Sequence, residues 1–324
     1  MKILLTGGAG FLGQRMIESL FQAGQSDIYC VVRKIPQEVP RPGMQYIAGN
    51  LMAKNDMVRA TQGMELVLHA AAGTKGGAAD MYANSVIGTR NLLEACQINK
   101  VKRVVLVSSF SVFDTSDIAT DSVIDESTPI EADGVKKGVY AYTKTQQEHL
   151  FWKLANEYGL EGLVVRPGVI FGPGGVAMSP RVGISALGWF AKLGGSNTLP
   201  LTYVQNCADA IVAVGLKGIA GQAYNIVDDD LPSCRSYLAR YCRDVQKLKT
   251  FPMPLPVLKV AVRWLENYAK KSNGQLPAIL NDHIVRSQYR PFRYSNEKMK
   301  KLGWQPQKPM QEALQQTFES LKNA

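Results

Sequence analysis

At 324 residues, 46% of them hydrophobic, the chain exceeds one ordinary domain and can bury a large core. Its apolar stretches are short and are broken by glycine, proline or charge, so none reaches the ~20 residues that cross a bilayer. The formal net charge of +10 favours anionic partners, namely nucleic acid, an anionic membrane surface, or a phosphorylated cofactor or substrate. Because the sequence has no nucleic-acid-binding motif and no basic run interleaved with aromatic residues, we expect no nucleic-acid partner.

The N-terminus, the cysteines and the histidines bear on compartment and metal binding. Residues 1–7 enter a strand without the apolar region or cleavage site of a signal peptide, so we expect a cytoplasmic protein. The five cysteines are scattered and form no CxxC pair, which predicts buried thiols and not disulfides or zinc ligands. The histidines at positions 69, 149 and 283 are far apart and lack metal-ligand spacing, so we predict no metal site.

The first two thirds of the chain alternate short β-rich runs with segments of helical periodicity. The strand-like runs are residues 2–6, 28–32, 66–69, 104–108 and 163–166. The helical segments are residues 12–21, 81–96 and 141–158, the first and last closed by glycines. Apolar strands separated by helices are typical of a parallel sheet covered on both faces, so we predict a doubly wound α/β fold.

Beyond Pro167 this rhythm gives way to Gly- and Pro-rich segments, mixed helices and an apolar run at 223–227. We predict a cofactor domain over residues 1–166, with a return segment near 201–227, and a smaller substrate lobe mainly over 167–324. A final helix is expected over 310–321, behind Pro309.

A glycine-rich loop connects the first predicted strand to the first helix. Gly7, Gly10 and Gly13 suit, in turn, a tight turn, close approach of the backbone to a diphosphate, and close contact between helix and strand. The helix N-terminus adds free N–H groups and the positive end of a dipole. We therefore predict a Rossmann-type dinucleotide site.

The residue after the second strand indicates which dinucleotide binds. An NAD-binding unit carries Asp or Glu there to hold the ribose 2′-hydroxyl, whereas this chain has Arg33. A guanidinium can bind a 2′-phosphate through paired charge-assisted hydrogen bonds, and this predicts NADP as the cofactor.

Tyr140 and Lys144 are four residues apart at the start of a predicted helix, so both project from one face. A nearby ammonium stabilises a phenolate and would lower the pKa of the tyrosine from ~10 toward neutrality. Such a phenol can protonate an alkoxide as hydride arrives, or deprotonate an alcohol in reverse. Ser108 and Ser109 end another strand, where ligands sit in parallel sheets, and would supply a hydroxyl that orients the carbonyl.

These motifs belong to a longer series in a characteristic order. The other members are Gly49-Asn50-Leu51, residues 68–72, Asn84 with Gly88-Thr89 and Asn91, Val112-Phe113 after the serines, residues 125–129, Arg166-Pro167-Gly168 with residues 171–174, and residues 302–306. With this series the chain resembles the extended short-chain dehydrogenase/reductase family over nearly its whole length.

The resemblance implies roles for individual residues. It makes Ser109, Tyr140 and Lys144 catalytic and implies that Lys144 also binds the nicotinamide ribose. It also implies that Ser108 lines the cofactor site and that Asn50 meets adenine. The remaining cofactor contacts that it implies are Phe11, Leu12, Leu51, Ala70, Ala71, Ala72, Pro167 and Val169. A homodimer through the helices near 84–96 and 140–158 is a further implication.

The stretch after Arg166 distinguishes branches of the family. Members that act on nucleotide sugars usually carry an asparagine there, whereas residues 169–171 are apolar. The chain therefore looks more like the 3β-hydroxysteroid dehydrogenase and dihydroflavonol reductase branch, which implies a small apolar ketone or alcohol as substrate. The alternatives are a nucleotide-sugar epimerase or dehydratase, which the net charge would suit, and a non-catalytic NADP-sensing module.

Two further segments carry hypotheses. In residues 257–271, Val257, Ala261, Trp264, Leu265 and Tyr268 share one side of a helix and the charged residues share the other. This helix either packs on the substrate lobe or lies in a membrane interface as a peripheral contact. The acidic residues between Ser109 and Tyr140 are interpreted as solvated loop carboxylates without partners: Asp114, Asp117, Asp121, Asp125 and Glu126.

Overall fold

The computed structural model describes residues 1–37, 39–73, 76–186, 188–271 and 280–322. Its strands are β1 (Ile3–Thr6), β2 (Ile28–Val32), β3 (Met44–Ala48), β4 (Leu66–His69), β5 (Arg103–Val107), β6 (Val123–Ile124), β7 (Glu161–Pro167), β8 (Val169–Phe171), β9 (Gly183–Ala186), β10 (Trp189–Lys192), β11 (Leu201–Tyr203), β12 (Ala223–Ile226), β13 (Thr250–Pro252) and β14 (Arg293–Tyr294).

The helices are α1 (Phe11–Gln22), α2 (Lys54–Ala60), α3 (Ala78–Tyr82), α4 (Gly88–Ile98), α5 (Val139–Glu157), α6 (Val204–Lys217), α7 (Cys234–Asp244), α8 (Leu255–Lys271), α9 (Asp282–Gln288), α10 (Glu297–Lys301) and α11 (Met310–Lys322). A π-helical turn, Ala83–Ile87, joins α3 to α4, and 3-10 turns span Phe110–Val112 and Val135–Lys137. Helices α1 and α5 end before Gly24 and Gly159, whose φ angles of 75° and 64° are left-handed, as glycine permits.

Seven parallel strands form the main sheet, in the order β12-β7-β5-β4-β1-β2-β3. The predicted doubly wound fold is confirmed. The chain reverses its direction across the sheet between β3 and β4, so a crevice opens where the carboxyl ends of β1 and β4 meet. Ligands bind at such a switch point in open α/β sheets.

Both faces of this sheet are covered, which explains why its strands are apolar throughout. One core joins α1 and α6 to the sheet through residues such as Leu20 and Ile211. The other core joins α4 and α5 to the opposite face through residues such as Leu93 and Phe151. The layers therefore hold the strand ends and the helix N-termini in fixed relation.

After β8, the elements that do not belong to the main sheet and its covering helices form a second, smaller group. The sheet β13-β10-β9 lies there, and Tyr237 of α7 and Phe318 of α11 share a further core. Helix α11 confirms the predicted C-terminal helix, whereas the division into a cofactor domain and a substrate lobe stays a prediction. Cys30, Cys96, Cys207 and Cys234 are buried free thiols as predicted, and Cys242 is a half-buried one. No helix in the described ranges is long and apolar enough to cross a bilayer.

Candidate active site

The glycine loop between β1 and α1 leaves room for a ligand at Gly10, whereas backbone atoms close it at Gly7 and at Gly13. Gly7 has a φ of 80°, and a Cβ there would lie 2.8 Å from the Ala71 nitrogen. A Cβ at Gly13 would lie 2.1 Å from the Gly7 carbonyl oxygen, so neither position accepts a side chain. A Cβ on Gly10 would meet only that oxygen, at 3.2 Å, and Gly10 is exposed at the N-terminus of α1. This open N-terminus fits a diphosphate.

The rest of the dinucleotide groove follows the strand ends. Arg33 directly follows β2 and is exposed, as is Asn50 after β3. The Asn50 side chain accepts a hydrogen bond from Met52 N–H, and the Leu51 carbonyl accepts one from Asn91. The half-buried segment Ala70 to Ala72 follows β4 and abuts Gly7. These predicted contacts are thereby brought to one edge of the sheet.

Four further predicted cofactor residues take other environments. The Ser108 side chain is only 4% exposed, and its hydroxyl donates to Glu148 at 2.5 Å, so it is committed to the interior. Pro167 is buried at the end of β7. Val169 is half-buried and pairs with Leu201 of β11, at the entrance to the smaller group of elements. Phe11, at the first turn of α1, packs against Gly175.

The Ser109 and Tyr140 side chains lie close together, near enough for the Ser109 hydroxyl to lower the pKa of the phenol. Ser109 begins the 3-10 turn after β5, where its hydroxyl oxygen accepts the Ser111 N–H at 3.1 Å. Tyr140 is the second residue of α5, which begins directly after Gly138, a glycine with a φ of 91°. Tyr140 is 40% exposed.

The electrostatics of Tyr140 differ from the prediction. Burial raises the pKa of Tyr140, and the nearby Ser109 hydroxyl only partly opposes this. The predicted lowering by Lys144 is wrong for the protein alone, because the ammonium is directed elsewhere. Lys144 Nζ donates to the Val107 carbonyl at 2.8 Å and to Gln147 Oε1 at 2.9 Å. Burial lowers the pKa of Lys144 to about 8, and the Glu148 carboxylate opposes that change.

Beneath Ser108, Glu148 forms a buried ion pair with Arg166. Arg166 Nη2 lies 2.6 Å from Glu148 Oε1, and both side chains are almost wholly inaccessible. Arg166 also packs over the Phe113 ring, 5.0 Å from its centroid. Because Glu148 bonds Ser108 and Arg166 precedes Pro167, the pair ties α5 to the strand ends on which the site stands.

A buried polar chain behind Lys144 was not predicted. Gln147 Nε2 donates to Thr89 Oγ1 at 2.8 Å, which lies 2.8 Å from His69 Nε2. His69 Nδ1 lies 2.7 Å from Thr6 Oγ1, at the end of β1. Burial, and then the charge of Lys144, lower the pKa of His69 to about 3, so the imidazole is neutral. His69 therefore bonds two threonine hydroxyls in the interior.

The acidic loop between Ser109 and Tyr140 has more partners than expected. Asp114 is half-buried and accepts two hydrogen bonds from Ser116. Glu126 accepts the Asn225 N–H at 2.8 Å. The interpretation of these two residues as unpartnered solvated carboxylates is wrong, because the loop folds back against α9 and β12.

Asp114 and Glu131 also come together with His283, close enough to share a cation. Lys137 approaches the same cluster, 3.7 Å from Glu131, and burial lowers its pKa to about 8. Since His283 already bonds Glu131 at 2.7 Å and Lys137 supplies a cation, the cluster satisfies its own charges.

The sequence and the fold of the chain are similar to those of known proteins. A model of the NAD dependent epimerase/dehydratase family matches residues 3–227. The chain is 29% identical, over 99% of its length and 79% of the relative, to 3beta-hydroxysteroid-dehydrogenase/decarboxylase isoform 1 of Arabidopsis thaliana. It is 32% identical, over 64% of its length and 63% of the relative, to 2-alkyl-3-oxoalkanoate reductase of Stenotrophomonas maltophilia (strain K279a). UDP-glucose 4-epimerase from Thermus thermophilus in complex with NAD shares the fold, with a TM-score of 0.71 over all of both chains at 20% identity.

A Rossmann-type sheet with Ser109 after β5 and with Tyr140 and Lys144 on α5, in a chain with these relatives, defines an oxidoreductase of the short-chain dehydrogenase/reductase class. The resemblance stated from the motifs is thereby confirmed. The chain belongs to the NAD dependent epimerase/dehydratase family, whose model covers its whole main sheet.

Proposed function

We propose that the protein is an NADP-dependent oxidoreductase that transfers a hydride to or from a hydrophobic carbonyl compound, with Tyr140 as acid and base. The proximity of the Ser109 and Tyr140 hydroxyls, close enough for the serine to lower the pKa of the phenol, carries this proposal. It brings together two hydroxyls from different elements at the end of β5, beside the crevice of the sheet. A carbonyl oxygen that accepts from both would be held where a proton can be delivered to it.

The proton step follows from these two side chains. The bound nicotinamide would supply or accept the hydride. As negative charge develops on the substrate oxygen, Ser109 stabilises it and Tyr140 donates its proton. The raised pKa of Tyr140 keeps the phenol protonated at neutral pH, which suits proton donation and so the direction of reduction.

Lys144 would contribute its ammonium group to the reaction. An ammonium has three N–H donors, and two of them bond Val107 and Gln147. The third remains for the nicotinamide ribose, or for the phenolate that Tyr140 becomes after donation. The buried Lys144 ammonium would thus supply the positive charge that stabilises the Tyr140 phenolate, and no solvent-exposed cation is needed.

Arg33 supports NADP over NAD. The side chain directly follows β2 and is exposed at the groove edge, and Lys34 beside it is also basic and exposed. An acidic side chain at position 33 would repel a 2′-phosphate, whereas a guanidinium can bind it at two points.

An apolar substrate is supported by the residues beyond Arg166 and by the names of the relatives. Residues 169–171 are Val, Ile and Phe, and offer no polar side chain to a diphosphate. The named relatives act on a hydroxysteroid and on a 2-alkyl-3-oxoalkanoate, both of which have large apolar parts.

The test follows the absorbance of NADPH while the protein is offered apolar ketones, 3-oxo acids and nucleotide sugars. We expect substrate-dependent loss of NADPH with an apolar ketone or 3-oxo acid and none with NADH at the same concentration. Conversion of a nucleotide sugar without net change of the dinucleotide would contradict the proposal and indicate an epimerase. Tight NADPH binding with no turnover on any carbonyl would indicate a sensing module.

A further inference from the structure

Among the residues that the structure describes, none covers an apolar face of helix α8. The helix packs on α9 through Leu258 and Val262, which are 3% and 1% exposed and contact Ile284 and Val285. The apolar stripe predicted from the sequence is not the surface that packs on α9, because Val257, Trp264 and Tyr268 are 53%, 67% and 51% exposed. We name the exposed set the α8 face; it consists of Val257, Val260, Trp264, Leu265 and Tyr268.

The stretch of sequence that contains the α8 face is basic. Residues 247–271 contain Lys247, Lys249, Lys259, Arg263, Lys270 and Lys271 and a single acidic residue, Glu266. Glu266 accepts the Asp282 N–H at 3.0 Å at the start of α9, so its carboxylate is used internally. Lys259 and Arg263 are exposed and form no ion pair with the described residues. At helical spacing they lie beside the α8 face, on the side away from Leu258.

We propose that the α8 face docks the protein onto an anionic phospholipid surface. An exposed apolar stripe with stacked aromatic side chains and a basic border is the pattern of a helix that lies in a membrane interface. Trp264 and Tyr268 stack with ring centroids 5.7 Å apart and would sit at the headgroup level. Lys259 and Arg263 would reach the lipid phosphates while their stems cover apolar surface.

The docking would bring the membrane near the catalytic cleft. Helix α9, on which α8 packs, donates from Asn281, at its N-terminus, to the Lys136 carbonyl at 2.6 Å. Lys136 belongs to the turn that leads into Tyr140. An apolar substrate dissolved in the bilayer would therefore enter the active site from the side of the enzyme that faces the membrane.

Cosedimentation with vesicles tests this surface. The full chain is mixed at low salt with vesicles of phosphatidylglycerol and phosphatidylcholine, or of phosphatidylcholine alone. We expect binding to the anionic vesicles, weakened about tenfold by Lys259→Glu with Arg263→Glu, and similarly by Trp264→Ser with Val260→Ser. Ile219→Ser, equally exposed at 67% but outside the face, is the matched control and keeps wild-type binding.

Three results would overturn the docking proposal. They are wild-type protein that stays in the supernatant at low salt, face variants that bind like Ile219→Ser, and a dimer in solution that Trp264→Ser dissociates. The last result would show that a second copy covers the face. Dinucleotide affinity of the same variants, which we expect to be unchanged, keeps this test separate from that of the proposed function.

The polar chain behind Lys144 carries a second inference, independent of α8. Thr89 donates its only proton to the Ser85 carbonyl at 2.5 Å, so its oxygen must accept from both Gln147 Nε2 and His69 Nε2. The imidazole is then neutral with its proton on Nε2, and Thr6 donates to Nδ1. This pattern fixes the Gln147 amide with its oxygen toward the Lys144 ammonium.

We infer that Gln147 is a positioning residue that holds Lys144 for catalysis. Its amide is wholly buried, and its orientation is set by Thr89 and not by the lysine. It therefore offers a fixed acceptor that orients the ammonium and leaves one N–H free. This inference rests on the proposed function, because it assumes that Lys144 serves the reaction.

Gln147→Leu tests the inference, with Gln146→Leu on the same helix as the control. The charged group that acts on Lys144 is Glu148, and the neutral His69 is the titratable group on which the ammonium acts in turn. Loss of an acceptor leaves the buried ammonium less stabilised, so we expect turnover to fall about tenfold. NMR of lysine-labelled protein without cofactor should show a lower pKa for Lys144. Gln147→Glu, which keeps an acceptor, should raise that pKa and restore much of the rate.

The NMR titration separates the two ideas. Unchanged pKa of Lys144 in both Gln147 variants overturns the positioning role, whether or not the enzyme turns over. If Gln147→Leu fails to fold, the Gln147→Glu titration decides alone. A shifted pKa in a protein without any carbonyl turnover would count against the proposed function only.

Discussion

Arg166 Nη2 and Glu148 Oε1 lie 2.6 Å apart under the catalytic strand ends, with side-chain exposures of 7% and 0%. The pair is structural, since it contacts Ser108 and Phe113 and not the cleft. Removal of one partner of such a pair leaves the other charge buried without compensation. Stability should therefore depend on both side chains being present.

Glu148→Gln should lower the free energy of unfolding by about 3 kcal/mol, because Arg166 keeps its charge but loses the carboxylate. Glu157→Gln, on the exposed C-terminal turn of the same helix, should change it by less than about 0.5 kcal/mol. Urea unfolding at neutral pH measures both. Equal stability of the two variants would mean that the ion pair contributes nothing net.

Gly10→Ala and Gly13→Ala should separate ligand binding from folding. An alanine at 13 would drive its Cβ into the Gly7 carbonyl, so thermal denaturation should show clear destabilisation. An alanine at 10 meets that oxygen only at 3.2 Å, and the fold should survive. Its methyl would occupy the approach of the diphosphate, so calorimetry should show dinucleotide affinity reduced about tenfold or more. Wild-type affinity in Gly10→Ala would contradict this position for the diphosphate.

Arg33→Ser should weaken NADPH binding by roughly 10–100-fold, the loss expected for one charge-assisted contact of about 1.5–3 kcal/mol. NADH binding should be nearly unchanged, because NADH lacks the 2′-phosphate. Lys34→Ser, an equally exposed neighbour, is the control for general charge loss. If both substitutions weaken NADPH binding by the same small factor, Arg33 does not bind the 2′-phosphate.

His69 should remain neutral far into the acid range. Its folded pKa of about 3 lies below the unfolded value of 6.5, so the unfolded state binds more protons between those values. Stability is therefore lost as pH falls through this window, by about 2 kcal/mol between pH 7 and pH 5 from this group alone. Proton NMR of the three histidines checks it: one imidazole should not titrate above about pH 4. Titration of all three imidazoles well above about pH 4 would contradict the buried, hydrogen-bonded environment of His69.

Local patterns predicted much of this fold from the sequence. Apolar runs between helices predicted five strands of the main sheet, and terminal glycines predicted where α1 and α5 end. Strand β3 escaped the pattern because Gln45 and Tyr46 interrupt its apolar residues and it is partly exposed. The helix predicted over 81–96 contains a π-helical turn, where Ser85 bonds Gly73 and Thr89 bonds Ser85.

The site was predictable as a set of residues but not as an electrostatic arrangement. Spacing put Tyr140 and Lys144 on one helix face, which the structure shows, but could not show that the ammonium bonds Val107 of β5. Gln147 and Thr89 are 58 positions apart in the chain, so their hydrogen bond exists only in the folded protein. The same holds for the α8 face, whose exposure depends on which side α9 covers.

Turnover of the Tyr140→Phe variant tests the central claim most directly. The variant keeps the ring and loses only the hydroxyl beside Ser109, so the protein should fold and bind NADPH with wild-type affinity. We predict that its rate of NADPH oxidation with an apolar ketone falls by a factor of about 10²–10⁴, the usual contribution of a general acid. Wild-type turnover in this variant would contradict the assignment of Tyr140 as the proton donor.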